Sequence, residues 1–195
     1  MDNEVNEYDY IGEELIDDSE KSESEIFCET DSRRRSCSFT GHRNLTQAEL
    51  SVVVPKLRST ILYLISQGVT EFHAGGAEGF DTVAAGVVHE ISRSHEGIRL
   101  VLELPYEKTF GHLQPDAKEK RFYEFIKSVA DEINVHGEKP KGRNEAKDFL
   151  LKRNRVLMDK SYYCVCYLKD NKGGTAYTVK YASTIDNYII NLAEE

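Results

Sequence analysis

No apolar run in these 195 residues is long enough to span a bilayer, and nothing near the N-terminus has the form of a signal peptide. Both absences lead to the expectation of a cytoplasmic protein with no membrane partner. The four cysteines, at 28, 37, 164 and 166, lack zinc-ligand spacing, so no metal is expected. Cys164 and Cys166 fall instead in an apolar run, where i and i+2 side chains share a strand face, and buried thiols are expected there. No internal repeat is present. Excess basic charge is small as well. Residues 1–32 carry thirteen Asp and Glu against one Lys, and the remaining chain holds 24 basic and 21 acidic residues. A body so close to neutral suits a small anionic ligand and argues against a long nucleic-acid track.

What is present divides the chain in two. Residues 1–35 are acidic and rich in Ser and Glu, which by composition is a disordered tail. Tyr8, Tyr10, Ile11, Leu15 and Ile16 are its few anchors for a partner; a solvated tail is the simpler expectation. Residues 36–195 carry a regular alternation of strand and helix signals. Cys37–Thr40 is a short first strand. Thr46 and Glu49 form a capping box that opens a helix through Leu50, Val53, Val54, Leu57, Ile61 and Leu64. Pro55 is expected to kink that helix or to mark its true start, and Gly68 to stop it. Strands follow near 69–74, 98–104, 132–135, 162–168 and 188–192, with helices near 80–93, 116–130, 144–160 and after Thr175. Pro105–Pro115, with Tyr106, Phe110 and His112, reads as a long loop suited to a lid or a base-stacking surface. Strands alternating with helices predict an α/β fold, a Rossmann-like parallel sheet with helices on both faces in a single domain.

Three segments carry the chemistry. Phe72-His73-Ala74-Gly75-Gly76-Ala77-Glu78-Gly79-Phe80-Asp81 joins a strand to a helix, and its glycines let the backbone turn and approach a ligand at a helix N-terminus. Thr40-Gly41-His42-Arg43 and Gly173-Gly174-Thr175 also follow strands and lead into helices. In a parallel sheet all three gather at the carboxyl edge, where open α/β sheets bind ligands. Arg153 stands apart: it lies on the apolar stripe of its own helix. A buried charge needs a partner, which is here a ligand phosphate or a carboxylate such as Asp81. Arg43 and Arg153 suit phosphate oxygens. Asp81 suits a ribose hydroxyl, a base edge or Arg153. His42 suits ligand contact, acid–base work or capping, and Asn154 points to another face. Thr175 is expected to cap its helix or to donate to phosphate, with capping the simpler role.

In this order, Ser38-Phe39-Thr40-Gly41-His42-Arg43, Gly75-Gly76-Ala77-Glu78-Gly79-Phe80-Asp81, Arg153-Asn154-Arg155 with Met158-Asp159, and Gly173-Gly174-Thr175 resemble the YpsA-like branch of the SLOG superfamily. The resemblance runs from about Cys37 to Leu192. It implies a Rossmannoid domain that binds a nucleotide or nucleotide-derived small molecule, and a dimer or larger homo-oligomer. Relatives in that superfamily include the lonely-guy phosphoribohydrolases, the DNA-processing protein DprA and sensors of nucleotide second messengers. The hydrolases place a catalytic glutamate three residues after the loop threonine; here that position is Thr178. Only Glu78 or Asp81 remain as substitute catalytic candidates. The expected function is therefore a sensor or sequestering protein, with a nucleotide N-glycosidase as the alternative and DprA-like single-stranded DNA binding behind both. No cofactor is expected.

Overall fold

The computed structural model describes residues 32–107 and 118–194. Residues 1–31, with the acidic segment and Cys28, lie outside them. So do residues 108–117, with Phe110, His112 and Pro115 of the expected loop.

Six strands form one parallel sheet: β1 (Ser36–Gly41), β2 (Glu71–Ala74), β3 (Arg99–Leu104), β4 (Glu132–Val135), β5 (Tyr163–Tyr167) and β6 (Tyr188–Asn191). Their order is β4-β3-β2-β1-β5-β6. The helices between them are α1 (Gln47–Ser66), α2 (Phe80–Ser92), α3 (Lys118–Val129), α4 (Arg143–Lys160) and α5 (Gly173–Thr184). The order runs one way from β1 to β4 and the other way from β5 to β6. The reversal falls between β1 and β5, the place where such sheets open a ligand crevice at their carboxyl ends.

Strand parity sorts the two faces. Cys37, Phe39, Phe72, Ala74, Leu100, Leu102, Leu104 and Val165 pack with Leu57, Ile61 and Leu64 of α1, Phe80 and Val88 of α2 and Ile126 of α3. On the opposite face Cys164 and Cys166 pack with Leu157 and Met158 of α4 and Ala182 of α5. Cys37, Cys164 and Cys166 are free, buried thiols. Burial pushes Cys37 far up; the Cys166 hydrogen bond, then burial, raise Cys164.

The capping box forms as the spacing requires. Thr46 Oγ1 accepts from the Glu49 amide at 3.2 Å, and Glu49 Oε2 accepts from the Thr46 amide at 2.7 Å. The helix therefore starts at Gln47 and runs through Pro55 without ending, because Val53, Leu57, Ile61 and Leu64 around it are all buried. Gly68, at φ +90°, follows the last turn as the expected stop. The described chain begins before the first strand: residues 32–34 make a helical turn. There Arg33 Nη2 donates to the Ser161 carbonyl at 3.3 Å and to Asn187 Oδ1 at 3.2 Å.

Candidate functional site

Three loops meet at the carboxyl edge, and each is built differently. The β2–α2 loop is buried from Gly75 through Gly76, half-buried at Ala77 and exposed at Glu78. Gly79, at φ +82°, ends it in a conformation that L side chains rarely adopt, and a Cβ there would stand 2.2 Å from the Arg43 carbonyl oxygen. Gly75 serves a different purpose. A Cβ there would overlap Arg153 Nη1 and stand 2.8 Å from Asp81 Oδ2. The room left by the missing side chain is filled by a guanidinium.

That guanidinium comes from the middle of α4, where Leu151, Arg153, Leu157 and Met158 are the buried positions. Arg153 is 3 % exposed and Asp81, in the first turn of α2, is 5 % exposed. Arg153 Nη1 lies 3.7 Å from Asp81 Oδ2. This is an ion pair too long for a hydrogen bond, and both Nη1 and Nε of Arg153 are buried without a hydrogen-bond partner. Burial pulls the Arg153 pKa down, and Asp81 opposes that pull. Buried donors without acceptors are costly, on the order of 1–3 kcal/mol each. The result is a buried cation with two donors that no protein acceptor meets.

The β5–α5 loop offers open space instead. An added Cβ at Gly173, at φ +81°, or at Gly174 meets nothing within 4 Å. The first-turn amides of Gly173, Gly174 and Thr175 have no intrahelical acceptor, as at any helix start. Lys172 occupies the cap position and makes no side-chain cap bond. Thr175 is thus the third helical residue and not the cap, because the helix begins at Gly173. Asn154 faces this loop: its Nδ2 donates to Thr178 Oγ1 at 2.9 Å, and Thr178 Oγ1 donates to the Gly174 carbonyl at 2.8 Å. The position that holds an acid in the hydrolases is a buried structural hydroxyl here. Tyr177 is also engaged, accepting from Arg155 Nε at 2.9 Å.

The β1–α1 loop ties the other two together. Thr40 is buried in β1, and Gly41 packs against Phe80 of α2. The His42 amide donates to the Tyr167 carbonyl at 3.4 Å, and its carbonyl accepts from the Phe80 amide at 3.1 Å. His42 Nε2 accepts from the Lys169 amide at 3.0 Å, which leaves any proton on Nδ1. A structural bridge between loops is what these bonds describe. Arg43 is exposed, and its charge works against that of Arg153. A latch absent from the sequence expectations reinforces the bridge: Lys169 pairs with Glu49, the capping-box residue, and holds its carboxyl down at about 2.

A second group also escaped the sequence. On the α4 face of β2 and β3, Glu103 is fully buried and receives His73 Nδ1 at 3.1 Å, Lys160 Nζ at 2.8 Å and His136 Nε2. Burial works against its charge, but the bonds from His73, Lys160 and His136 win, and its pKa falls to about 2. The available signal was parity: Glu71 and His73, and Glu132, Asn134 and His136, repeat at every second residue, and Arg99 and Glu103 stand four apart, so each set shares one strand face.

Among the described residues no helix is long and apolar enough to cross a membrane. A profile of the YpsA family, described as the YspA SLOG family, matches residues 38–193. No curated protein matches. The DNA processing protein A of Helicobacter pylori, described for its single-stranded DNA binding mode, superposes with a TM-score of 0.54 at 17 % identity over 83 % of this chain and 66 % of its own. That of Streptococcus pneumoniae gives 0.52 at 14 % identity over 79 % of this chain and 48 % of its own. This chain thus spans about half the length of one and just under two thirds of the other. At such identities the likeness is one of fold.

Proposed function

The chain belongs to the YpsA family of SLOG proteins, and on that premise we propose that it binds a nucleotide or nucleotide-derived small molecule at the carboxyl edge of its sheet, as a sensor or sequestering protein. The observation that carries this is Arg153: a buried guanidinium beside Asp81 with two nitrogens that find no acceptor in the protein. Phosphate oxygens supply such acceptors with matching charge and geometry. The open amides at Gly173–Thr175 provide the second anchor, since a helix N-terminus favours an anion. Thr40, Gly41 and His42 form the floor between them, and Arg43 is the exposed charge at the rim. Asp81 holds Arg153 beside the place of the ribose or base. Ala77, Glu78 and Gly79 line the outer side.

Binding is favoured over hydrolysis because the hydrolase acid is replaced by Thr178, whose hydroxyl is occupied by Asn154 and Gly174. If hydrolysis occurs, Glu78 and Asp81 are its acids; Glu78 is exposed on the loop and Asp81 is buried beside Arg153. Isothermal titration with a panel of nucleoside mono-, di- and cyclic phosphates, with the products chromatographed afterwards, separates the two. Saturable binding with unchanged nucleotide supports the sensor. Free base accumulating with time, and lost in Glu78→Gln or Asp81→Asn, replaces it with an N-glycosidase. Deletion of the acidic segment 1–31 should leave binding intact.

A further inference from the structure

Arg153 does not stand alone on the α4 side of β2. Along that strand, alternate residues share one face, so Glu71, His73 and Gly75 form a single row. The Arg153 guanidinium occupies the missing side chain at 75, which places it next after His73. His73 is almost completely buried, with Nδ1 3.1 Å from Glu103 Oε1 and Nε2 2.9 Å from Glu71 Oε1. The row therefore reads carboxylate, imidazole, guanidinium, with Glu103 of β3 beside it and attracting Arg153 as well as His73.

We propose that His73 is a proton switch for the Arg153 site: protonated, it adds its charge to that of the guanidinium next in the row and favours an anion there, and deprotonated, it withdraws that charge. The proposal rests on the anion-site assignment above. The charged groups around the imidazole are few. Its own strand supplies Glu71. From β3 come Glu103 and Arg99, the latter bridging Glu71 at 3.0 Å and Glu132 of β4 at 2.7 Å. His136, just after β4, donates to Glu103, and Asn134 lies 3.4 Å from it. α4 supplies Lys160 and Arg153. Lys160 and Arg153 are seven residues apart, two turns along the same side of the helix, and Lys160 pairs with the carboxylate that also holds the imidazole.

An imidazole between two carboxylates favours its charged form: burial lowers its pKa, but the Glu103 hydrogen bond and the nearby Glu71 carboxylate, whose pairing with Nε2 is a charge contact and not a hydrogen bond, raise it more, so it lies above the ordinary value. By reciprocity, an anion on Arg153 raises that pKa further, as much as the proton raises anion affinity. Couplings of this kind are on the order of 5- to 150-fold.

The experiment follows the His73 ring and the Arg153 Nε–Hε resonance by NMR in the full chain from pH 5 to 9, first alone and then with inorganic sulfate, whose charge is constant over this range. The expected result is one shared midpoint for both resonances, shifted upward by sulfate, with sulfate affinity at least 5-fold weaker above the midpoint. His73→Gln should abolish the Arg153 transition, and His136→Gln, which also removes a donor to Glu103, should leave it. An Arg153 resonance that stays still while His73 titrates overturns the switch, whether or not sulfate binds. A shared midpoint without sulfate binding upholds the switch and removes the anion site instead.

Discussion

The Arg153 guanidinium lies 3.7 Å from the Asp81 carboxylate, in a volume that a side chain at position 75 would otherwise fill. Two segments 72 residues apart in sequence thus meet in one buried pair. The arrangement explains why a cation sits on the buried stripe of α4 and why residue 75 has no side chain.

Breaking this pair should cost more than it would at the surface. Arg153→Ala leaves Asp81 buried without its cation, a loss of about 3–5 kcal/mol. Asp81→Asn with Arg153→Ala should recover part of it. A double-mutant cycle by urea unfolding should give a coupling of about 0.5–3 kcal/mol; additive losses would mean that the two charges do not sense each other.

The glycines should separate by function. Gly75→Ala forces the guanidinium from its slot, so both thermal stability and anion affinity should fall. Gly174→Ala meets no protein atom and replaces glycine in the first turn of α5, where alanine should be neutral or stabilising by up to about 1 kcal/mol. Its anion affinity should nevertheless drop if the ligand approaches that backbone closely. Calorimetry on both variants measures the contrast.

Stability should depend on pH from both sides of the Glu103 group. Its folded pKa of about 2 lies below the ordinary carboxylate value of 4.5, so its contribution is complete above the ordinary value and fades as pH falls toward 2. His73 behaves oppositely. Its folded pKa is raised above 6.5, so its contribution is complete below 6.5 and is lost as pH rises through the folded value. Urea midpoints taken from pH 2 to 9 should show both declines, and His73→Gln should remove the alkaline one only.

The hydroxyl chain from Asn154 through Thr178 to Gly174 should be worth about 1 kcal/mol per bond. Thr178→Val removes both bonds and leaves Asn154 without its acceptor. Hydrogen exchange at the Thr178 amide, in the first hydrogen-bonded turn of α5, should accelerate in that variant, while the Arg153 resonances stay in place.

Much of this was legible in the chain itself. The capping box, the strand parity of Cys164 and Cys166 and the gathering of three loops at one edge follow from local chemistry and parallel topology. Arg153 was visible because a charge on an apolar stripe is an anomaly at the level of spacing. The occupant of the room at Gly75 was not: a glycine shows that something comes close but not what, and here it is an arginine 78 residues away. The Glu103 group was hidden for a related reason. Its members come from three strands and a helix, and they become neighbours only once strand order and register are fixed. The Lys169–Glu49 latch likewise joins the first turn of α1 to the β5–α5 loop 120 residues on.

Native mass spectrometry of the gently purified full chain, beside Arg153→Ala, tests the nucleotide site most directly. The wild-type protein should carry, or take up from a nucleotide panel, an added mass that is released intact as a nucleotide-derived molecule, and the folded Arg153→Ala protein should not. Equal occupancy of both proteins, or an empty wild type that ignores the whole panel, would contradict the site.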